Sequence, residues 1–120
     1  MKNLTRIAAL CMGTFAYAQT VNNTPLASID AQYLEIRPAG KLFDTTISLI
    51  VDYGQRTKTF ASLEKESILK DDTGKKMEFN SMVHALNYMR AQGYEFVQVY
   101  LVPVSEKDNE YRYILRRKGE

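Results

Sequence analysis

The feature that most constrains the fold is an amphipathic helix pattern that ends at a glycine and runs directly into an apolar strand pattern. Asn80 or Ser81 can cap the start of the helix, and Gly93 stands where a left-handed residue would stop it. Between them, apolar residues recur at helical spacing and form one stripe: Met82, Ala85, Leu86 and Met89. Because such a stripe must be buried against another element, the sequence predicts a helix packed on a sheet.

Strand patterns flank this helix on both sides. Residues 94–104 are rich in β-branched and aromatic residues on both parities, which favours a central strand that stops near Pro103. Residues 111–116 alternate as a final strand, paired with the previous one as a hairpin. Before the helix, residues 32–37 and residues 45–53 predict two further strands.

The pattern is weaker between the second strand and the helix. We predict a returning strand at 58–63. Residues 71–74 (Asp-Asp-Thr-Gly) form a good reverse turn, with glycine available for a left-handed position. This turn is expected to join two short strands, one at 68–69 and one at 77–79.

The order of these elements predicts an α+β domain. We expect a small antiparallel sheet of about four or five strands, with one α-helix packed on one face, in the order β-β-(β)-α-β-β. Residues 19–30 are polar, contain Pro25 and show no period, so they predict a flexible leader before a folded domain at 31–118. A chain of this length buries enough surface for one hydrophobic core.

Residues 1–18 have the pattern of a signal peptide. Lys2 and Arg6 supply positive charge, residues 7–15 form an apolar core, and residues 16–18 (Ala-Tyr-Ala) form a cleavage site that ends at the last alanine. The apolar run is far shorter than the roughly 20 residues that span a bilayer. We therefore expect an exported bacterial protein, periplasmic or secreted, with no stable membrane insertion of the mature chain.

Cys11 raises the alternative of a lipoprotein signal. Such a signal carries a small residue directly before the cysteine and a leucine three places before it. Here Leu10 precedes Cys11 and Ala8 lies three places back, so lipidation is disfavoured. Cys11 is expected to leave with the signal.

Removing the signal changes the charge and the cysteine content. The whole chain has 16 basic and 14 acidic residues, and loss of Lys2 and Arg6 leaves 14 of each (16 − 2 = 14). A neutral mature domain lacks the basic surface that nucleic acids or anionic membranes require. Cys11 is the only cysteine, so the mature chain has none and its stability must come from a hydrophobic core.

Several short segments together carry a resemblance to a known group. Residues 79–89 have the form F-N-S-M-V-x-A-L-N-Y-M, and residues 93–98 read G-Y-E-F-V-Q. With the turn at 52–55 and the closing strand at 111–115, the chain resembles, over about residues 45–117, a group of small exported bacterial proteins of unknown function. The resemblance implies the fold and export, and it implies no activity.

The sequence shows no catalytic, cofactor-binding or metal-binding constellation. His84 is the only histidine, and its position opposite the apolar stripe predicts a solvent-facing residue. No serine lies in a G-x-S-x-G motif, so the usual nucleophilic triads cannot be assembled. Four carboxylates could form a hydrolytic pair only if the fold brought two of them to within about 5–9 Å of each other: Glu64, Glu66, Asp71 and Asp72. A calcium loop is disfavoured at 71–74, because its alternating oxygen ligands are missing.

Tyrosine is the residue type of most functional interest. Four tyrosines lie on the two strands predicted to pair, and we take them as a tentative binding surface: Tyr94, Tyr100, Tyr111 and Tyr113. Tyrosine gives rigid, amphipathic contact area, which suits recognition of protein or sugar. The alternative, which the sequence leaves open, is that these rings only cover the sheet or fill its core.

Three classes of function stay open. The first is a non-catalytic interaction module in the cell envelope, which binds an unknown envelope protein or ligand through the helix-free sheet face or an open strand edge. The second is a small-ligand or glycan binder that uses the sheet tyrosines, and the third is a carboxylate-based hydrolase. A homodimer through an edge strand is also possible, although Arg112, Arg116 and Arg117 are expected to blunt a terminal edge. The basic residues 116–118 predict a solvated terminus.

Overall fold

A computed structural model of the protein describes residues 19–40 and 44–119. Residues 1–18, where the signal peptide is predicted, lie outside the described residues. The elements, in chain order, are β1 (Thr20–Val21), β2 (Thr24–Pro25), β3 (Tyr33–Ala39), β4 (Ser48–Asp52), α1 (Phe60–Glu66), α2 (Met82–Ala91), β5 (Tyr94–Pro103) and β6 (Asn109–Arg117). Strands β1 and β2 form a small hairpin, and the other four form an antiparallel sheet in the order β4-β3-β6-β5. The predicted α+β class is confirmed.

One face of the four-stranded sheet forms the core. Strands β3 and β6 lie in the middle, with Leu34 opposite Leu115 and Ile36 opposite Tyr113, and Ile36 also faces Val51 on β4. The aliphatic members of this set are all buried. Burying such a side chain contributes about 1.5–3 kcal/mol before the entropy of ordering is subtracted.

Helix α2 packs on this core face as its apolar stripe predicts. The Ser81 hydroxyl accepts a hydrogen bond from the backbone N–H of His84, and Gly93 adopts a φ of 97° just after the helix ends. Ala85 and Met89 are fully buried, while Met82 and Leu86 pack against the edge of the core. The predicted cap, apolar stripe and glycine stop are therefore confirmed.

The predicted flexible leader at 19–30 is wrong. Val21, Leu26 and Ile29 are 0%, 3% and 2% exposed and belong to the main core. Thr20 and Lys70 exchange two backbone hydrogen bonds, each 2.9 Å long. Asn22 and Asn23 make the chain turn at positive φ, 52° and 62°, so its apolar residues reach the core without any regular spacing. A periodicity test cannot detect such a segment.

The predicted strand at 58–63 is also wrong, because these residues lie in and just before helix α1. The Thr59 hydroxyl caps that helix by accepting a hydrogen bond from Ser62 N at 3.1 Å. The turn at 71–74 is confirmed, with Gly74 at a φ of 85°. Its flanking residues form single bridges to the outer side of β4, which pair Ile68 with Ile50 and Phe79 with Ile47. These bridges cover the outer edge of β4.

Strand β5 lies at the other edge of the sheet, so the predicted central position for residues 94–104 is wrong. A register shift between Phe96 and Gln98 places Val97 in a β-bulge. The bulge changes which parity faces the core, and several apolar side chains of this strand stay exposed. Apolar residues on both parities therefore do not indicate burial on both faces here.

Arg116 and Lys118 are exposed, as the predicted solvated terminus requires, whereas Arg117 is partly buried and is bound to the fold. Arg116 donates to Glu95 at 2.8 Å. Arg117 donates to the Tyr94 hydroxyl at 2.9 Å and to the carbonyl of Ile29, and its guanidinium lies 5.5 Å from the centre of the Tyr94 ring. Arg117 thus ties β5, β6 and the N-terminal segment together.

A Tyr88→Phe substitution is expected to stabilise the fold by about 1 kcal/mol. The Tyr88 ring lies 5.4 Å from that of Phe79, and its hydroxyl is buried without a hydrogen-bond partner among the described residues. Removing the hydroxyl therefore removes a desolvation cost and no contact. Denaturant unfolding at pH 7 measures the change, with the exposed Tyr111→Phe as the matched control. A loss of stability on Tyr88→Phe would show that the hydroxyl has a partner.

The same substitution should change the pH dependence of stability. Burial raises the pKa of Tyr88 to about 12, whereas a tyrosine in an unfolded chain titrates near about 10. The unfolded chain therefore releases this proton at lower pH than the folded chain, so Tyr88 leaves stability unchanged with pH below pH 10 and lowers it as the pH rises towards 12. The wild type should lose stability more steeply than Tyr88→Phe over that interval, and parallel curves would contradict the assignment.

Candidate interaction surface

The hairpin formed by β5 and β6 extends beyond the rest of the sheet. Strand β6 pairs with β5 over its full length but pairs with β3 only from Tyr113 to Arg116. Arg117 N donates to Gln32 O, so by alternation the β3 residues that face β6 are the even-numbered ones. The ladder runs to Ile36, and the next residue of β3 that should donate to β6 is Pro38. Proline has no N–H, which explains why the ladder ends there. Among the residues that the structure describes, the distal part of the hairpin consequently has no neighbouring strand on the β6 side.

One face of this hairpin carries a row of exposed apolar side chains. We call these four residues the hairpin row: Phe96, Val99, Leu101 and Tyr111, which are 50%, 41%, 50% and 48% exposed. The row lies on the same face as the core, because Phe96 is opposite the buried Leu115 and Val99 is opposite Tyr113. Tyr113 joins the two, because it packs against the core and its ring lies 6.3 Å from that of Phe96. The row is therefore an exposed continuation of the apolar core face.

The backbone of β5 is open along its outer edge. Among residues 19–40 and 44–119, β5 forms strand pairs only with β6. Val104 N donates to Asp108 O at 3.1 Å, and hydrogen-bonded pairs alternate in an antiparallel ladder. The N–H and C=O groups of Val99 and Leu101 therefore point away from β6, towards the open side.

Two of the three arginines that were expected to blunt a terminal edge do not lie at an edge. Arg116 and Arg117 lie between β3 and β5, whereas Arg112 lies just past the end of the β3–β6 ladder. The expectation is wrong for Arg116 and Arg117, because that part of β6, although last in the chain, is interior to the sheet. The only charged residue of β5 is Glu95, and its pKa is lowered chiefly by the hydrogen bond from Arg116.

The opposite face of the hairpin is polar and internally paired. The Tyr100 hydroxyl donates to Glu35 Oε2 at 2.5 Å, and this bond is the main reason that the pKa of Tyr100 is raised. Arg112 Nε lies 3.7 Å from a carboxylate oxygen of Glu35 and 3.7 Å from one of Glu110. Burial alone would lower the pKa of Arg112, but the Tyr100 hydroxyl and the two carboxylates together raise it.

Arg37 anchors this polar face. It is only 5% exposed, and its guanidinium donates to Glu110 Oε1 at 2.9 Å. A second carboxylate, that of Glu64 on α1, lies 4.0 Å away. The pair links the hairpin to β3 at the point where backbone pairing between β3 and β6 has already ended.

The structure separates the four tyrosines of the predicted binding surface. Tyr94 is buried in the core, and its hydroxyl accepts a hydrogen bond from Arg117. Tyr100 lies on the polar face, whereas Tyr111 and Tyr113 lie on the apolar face. Only Tyr111 is both exposed and part of the hairpin row. The sequence signal for the other members of the row was their apolar character, which we interpreted as burial.

A shallow groove of about 310 Å³ lies on the face of β3, β4 and β6 that is opposite α2. Two tyrosines outside the predicted set line it, Tyr33 and Tyr53, together with Glu35 and Asp52. Glu35 and Asp52 face each other across β3 and β4. Both carboxylates already accept hydrogen bonds, Glu35 from Tyr100 and Asp52 from Gly54 N at 2.9 Å.

The other candidate residues have local structural roles. His84 Nδ1 accepts a hydrogen bond from Asn80 N at 3.0 Å, and its ring packs against Phe79. Asp71 accepts hydrogen bonds from Thr73 and Lys75 inside its own turn, and the bond from the Thr73 hydroxyl is the main reason that its pKa is lowered. Within the described part of the chain, no three histidine, cysteine or acidic residues are grouped to hold a metal ion.

Comparison with protein-family models, with curated proteins and with solved structures finds no match for this chain. No helix in the described residues is long and apolar enough to cross a membrane. The geometry of the hairpin is therefore the basis on which we assign a function.

Proposed function

We propose that this chain is a non-catalytic interaction module of the cell envelope that binds a protein partner through the β5–β6 hairpin. One observation carries the proposal: the exposed hairpin row lies beside the open edge of β5. An open edge offers main-chain hydrogen bonds to an added strand, and apolar side chains beside it supply contact area. The two features together favour a protein segment as the ligand.

The envelope location rests on the sequence. Residues 1–18 have the pattern of an export signal, and the resembled group of proteins is exported. Gln19, the first residue after the expected cleavage site, accepts a backbone hydrogen bond from Leu26 N at 2.7 Å. A chain cleaved after Ala18 would thus retain every helix and strand described here.

A protein partner is favoured over a glycan or a substrate for hydrolysis. A glycan site needs aromatic side chains that line one concavity, and the four predicted tyrosines lie on two faces and in the core. A hydrolase needs one carboxylate kept protonated as a general acid, whereas the hydrogen bond from the Thr73 hydroxyl lowers the pKa of Asp71. Neither the tyrosines nor the carboxylates form one continuous exposed surface, as the hairpin row does.

Site-specific photo-crosslinking tests this proposal. We expect a benzoylphenylalanine at position 111, inside the hairpin row, to give a discrete crosslinked product with the native envelope fraction. The same probe at position 83, on the exposed side of α2, serves as the matched control, since Val83 is also exposed. Random collision should give equal yields at the two positions, whereas a specific interface should give several-fold more product at position 111.

A second variant connects the product to the hairpin. Leu101→Lys places a charge in the exposed row without entering the core, so it should abolish the product at position 111 while leaving the folded state intact by circular dichroism. Equal yields at positions 111 and 83, or an undiminished product with Leu101→Lys, would refute the proposed function.

A further inference from the structure

We propose that the occupant of the β5 edge is a second copy of this chain, joined by antiparallel pairing of two β5 strands about a two-fold axis at Tyr100. This inference rests on the proposed function and names the partner at the same site. It follows from three properties of β5: the direction of its free backbone groups, the register that they allow, and its charge.

The free backbone groups of β5 complement those of a copy of itself. The regular part of the strand runs from Gln98 to Pro103, because the bulge at Val97 interrupts the ladder before it. Its outward-facing backbone groups belong to Val99 and Leu101. With the axis at Tyr100, Val99 of one copy lies opposite Leu101 of the other, and such a pair exchanges two hydrogen bonds. The two-fold axis repeats this pair, so the free donors and acceptors at both positions are satisfied.

Side-chain positions agree with the same register. Directly opposed residues in an antiparallel sheet point to the same face, so Val99 and Leu101 of both copies meet on the apolar face. The two hairpin rows then form one continuous patch. On the polar face, Tyr100 meets its own copy and Gln98 meets Val102. An isologous contact of this kind closes on itself and leaves no further edge at the interface.

Charge permits this pairing. Between residues 94 and 103 the strand carries only Glu95, whose carboxylate is already bonded to Arg116 at 2.8 Å. Glu95 lies beyond the bulge at Val97, outside the paired segment, so no like charges face each other in the proposed register. Edge strands that stay single usually carry lysine or other charges along their length, and the regular part of β5 carries none.

The contact is expected to be reversible. One strand pair with a few apolar side chains falls in the class of interfaces below about 1,200 Å², which are weak and concentration-dependent. Sedimentation of the mature chain, which begins at Gln19, should therefore show an average mass that rises from one copy towards two as concentration increases. A mass of one copy across the whole accessible concentration range would overturn the inference.

Val99→Pro tests pairing at the β5 edge without disrupting the fold. Proline is tolerated where a strand N–H faces away from the sheet, so the variant should keep the hairpin while it removes a donor from each side of the axis. We expect association to weaken at least about tenfold, since two hydrogen bonds and their geometry are lost. Leu101→Lys, at an exposed site, should have the same effect if Val99→Pro folds poorly. Dimers that persist in Leu101→Lys would place the interface elsewhere and refute the inference.

Single cysteines test the register, because the mature chain has none of its own. Tyr100→Cys should give a disulfide-linked dimer on mild oxidation, since residue 100 faces its own copy. Val102→Cys should not, because the two copies of residue 102 are about four residues apart along the strand, or about 13 Å, and a disulfide needs Cα atoms within about 7 Å. The reverse outcome would refute the register.

The two failures are distinguishable. If the purified chain stays monomeric while the probe at position 111 still crosslinks to a different envelope protein, the second copy is refuted and the interaction module stands. If the purified chain is monomeric and position 111 gives no specific product, both proposals are refuted.

Discussion

A chain that begins at Ala31 should fail to fold cooperatively, although it retains all four strands of the main sheet and both helices. The deletion removes Val21, Leu26 and Ile29 from the core. Each large-to-small change at such a site costs about 2–5 kcal/mol, and a whole domain is stable by only about 5–15 kcal/mol. The deletion also removes Ile29 O, which accepts a hydrogen bond from Arg117.

Leu26→Ala is the graded version of this test and should cost about 2–4 kcal/mol. Ser28→Ala, two residues later in the same 3-10 turn, is the matched control, because Ser28 is exposed and a surface substitution changes stability by only about 0.5 kcal/mol. Denaturant unfolding of the two variants measures the difference. Equal stabilities, or a cooperative transition in the chain that begins at Ala31, would show that the N-terminal segment is only loosely attached.

Glu110→Ala should be the most damaging substitution on the polar face, with a loss of about 3 kcal/mol. It leaves the guanidinium of Arg37, which is nearly inaccessible to water, without its 2.9 Å partner. Glu64 lies 4.0 Å away and is largely exposed, so it compensates only in part. The cost therefore comes mainly from the buried charge that remains, rather than from the contact that is lost.

A double variant separates these two causes. Arg37→Met with Glu110→Leu removes both charges, so it should recover most of the stability lost in Glu110→Ala, because apolar replacement of a buried pair is often neutral. Glu106→Ala, in the exposed loop between β5 and β6, is the control and should change little. Urea unfolding of the single and double variants measures how much stability is recovered. A double variant as unstable as Glu110→Ala would show that the hairpin needs the ion pair itself.

The interface variants and the stability variants should act independently. Val99 and Leu101 lie on the open edge and exposed face of β5, while Arg37 and Glu110 lie on the opposite face. Substitutions in the first pair should change association at constant stability. This separation makes the hairpin suitable for distinguishing a binding role from a structural one.

Helix α2 was predictable because its signals are local. A serine that accepts a hydrogen bond from the third residue beyond it, and a glycine that adopts positive φ, act within one turn of the chain. The turn at 71–74 and the β5–β6 hairpin are local in the same sense. Such elements depend on contacts between residues close in sequence, so one sequence suffices to detect them.

The N-terminal segment and α1 were not predictable by the same means. Val21, Leu26 and Ile29 have no regular spacing, since Val21 lies in β1, Leu26 begins a 3-10 turn and Ile29 follows that turn. Residues 60–66 show too short a pattern to separate a helix from a strand. Only the surrounding core determines which irregular segments become ordered.

The candidate site shows the same division. By itself, the sequence determined that β5 and β6 form an apolar, tyrosine-containing hairpin after a helix that ends at Gly93, because alternation, capping and turn formation are properties of neighbouring residues. Only the tertiary structure decided that β6 is interior, that β5 is the edge and that the hairpin row stays exposed. Strand order depends on contacts between distant segments, here on the β3–β6 ladder that ends at Pro38 and on the bridges that cover β4. Hydrophobic periodicity depends only on neighbouring residues, so it does not indicate which strand has a neighbour in the sheet.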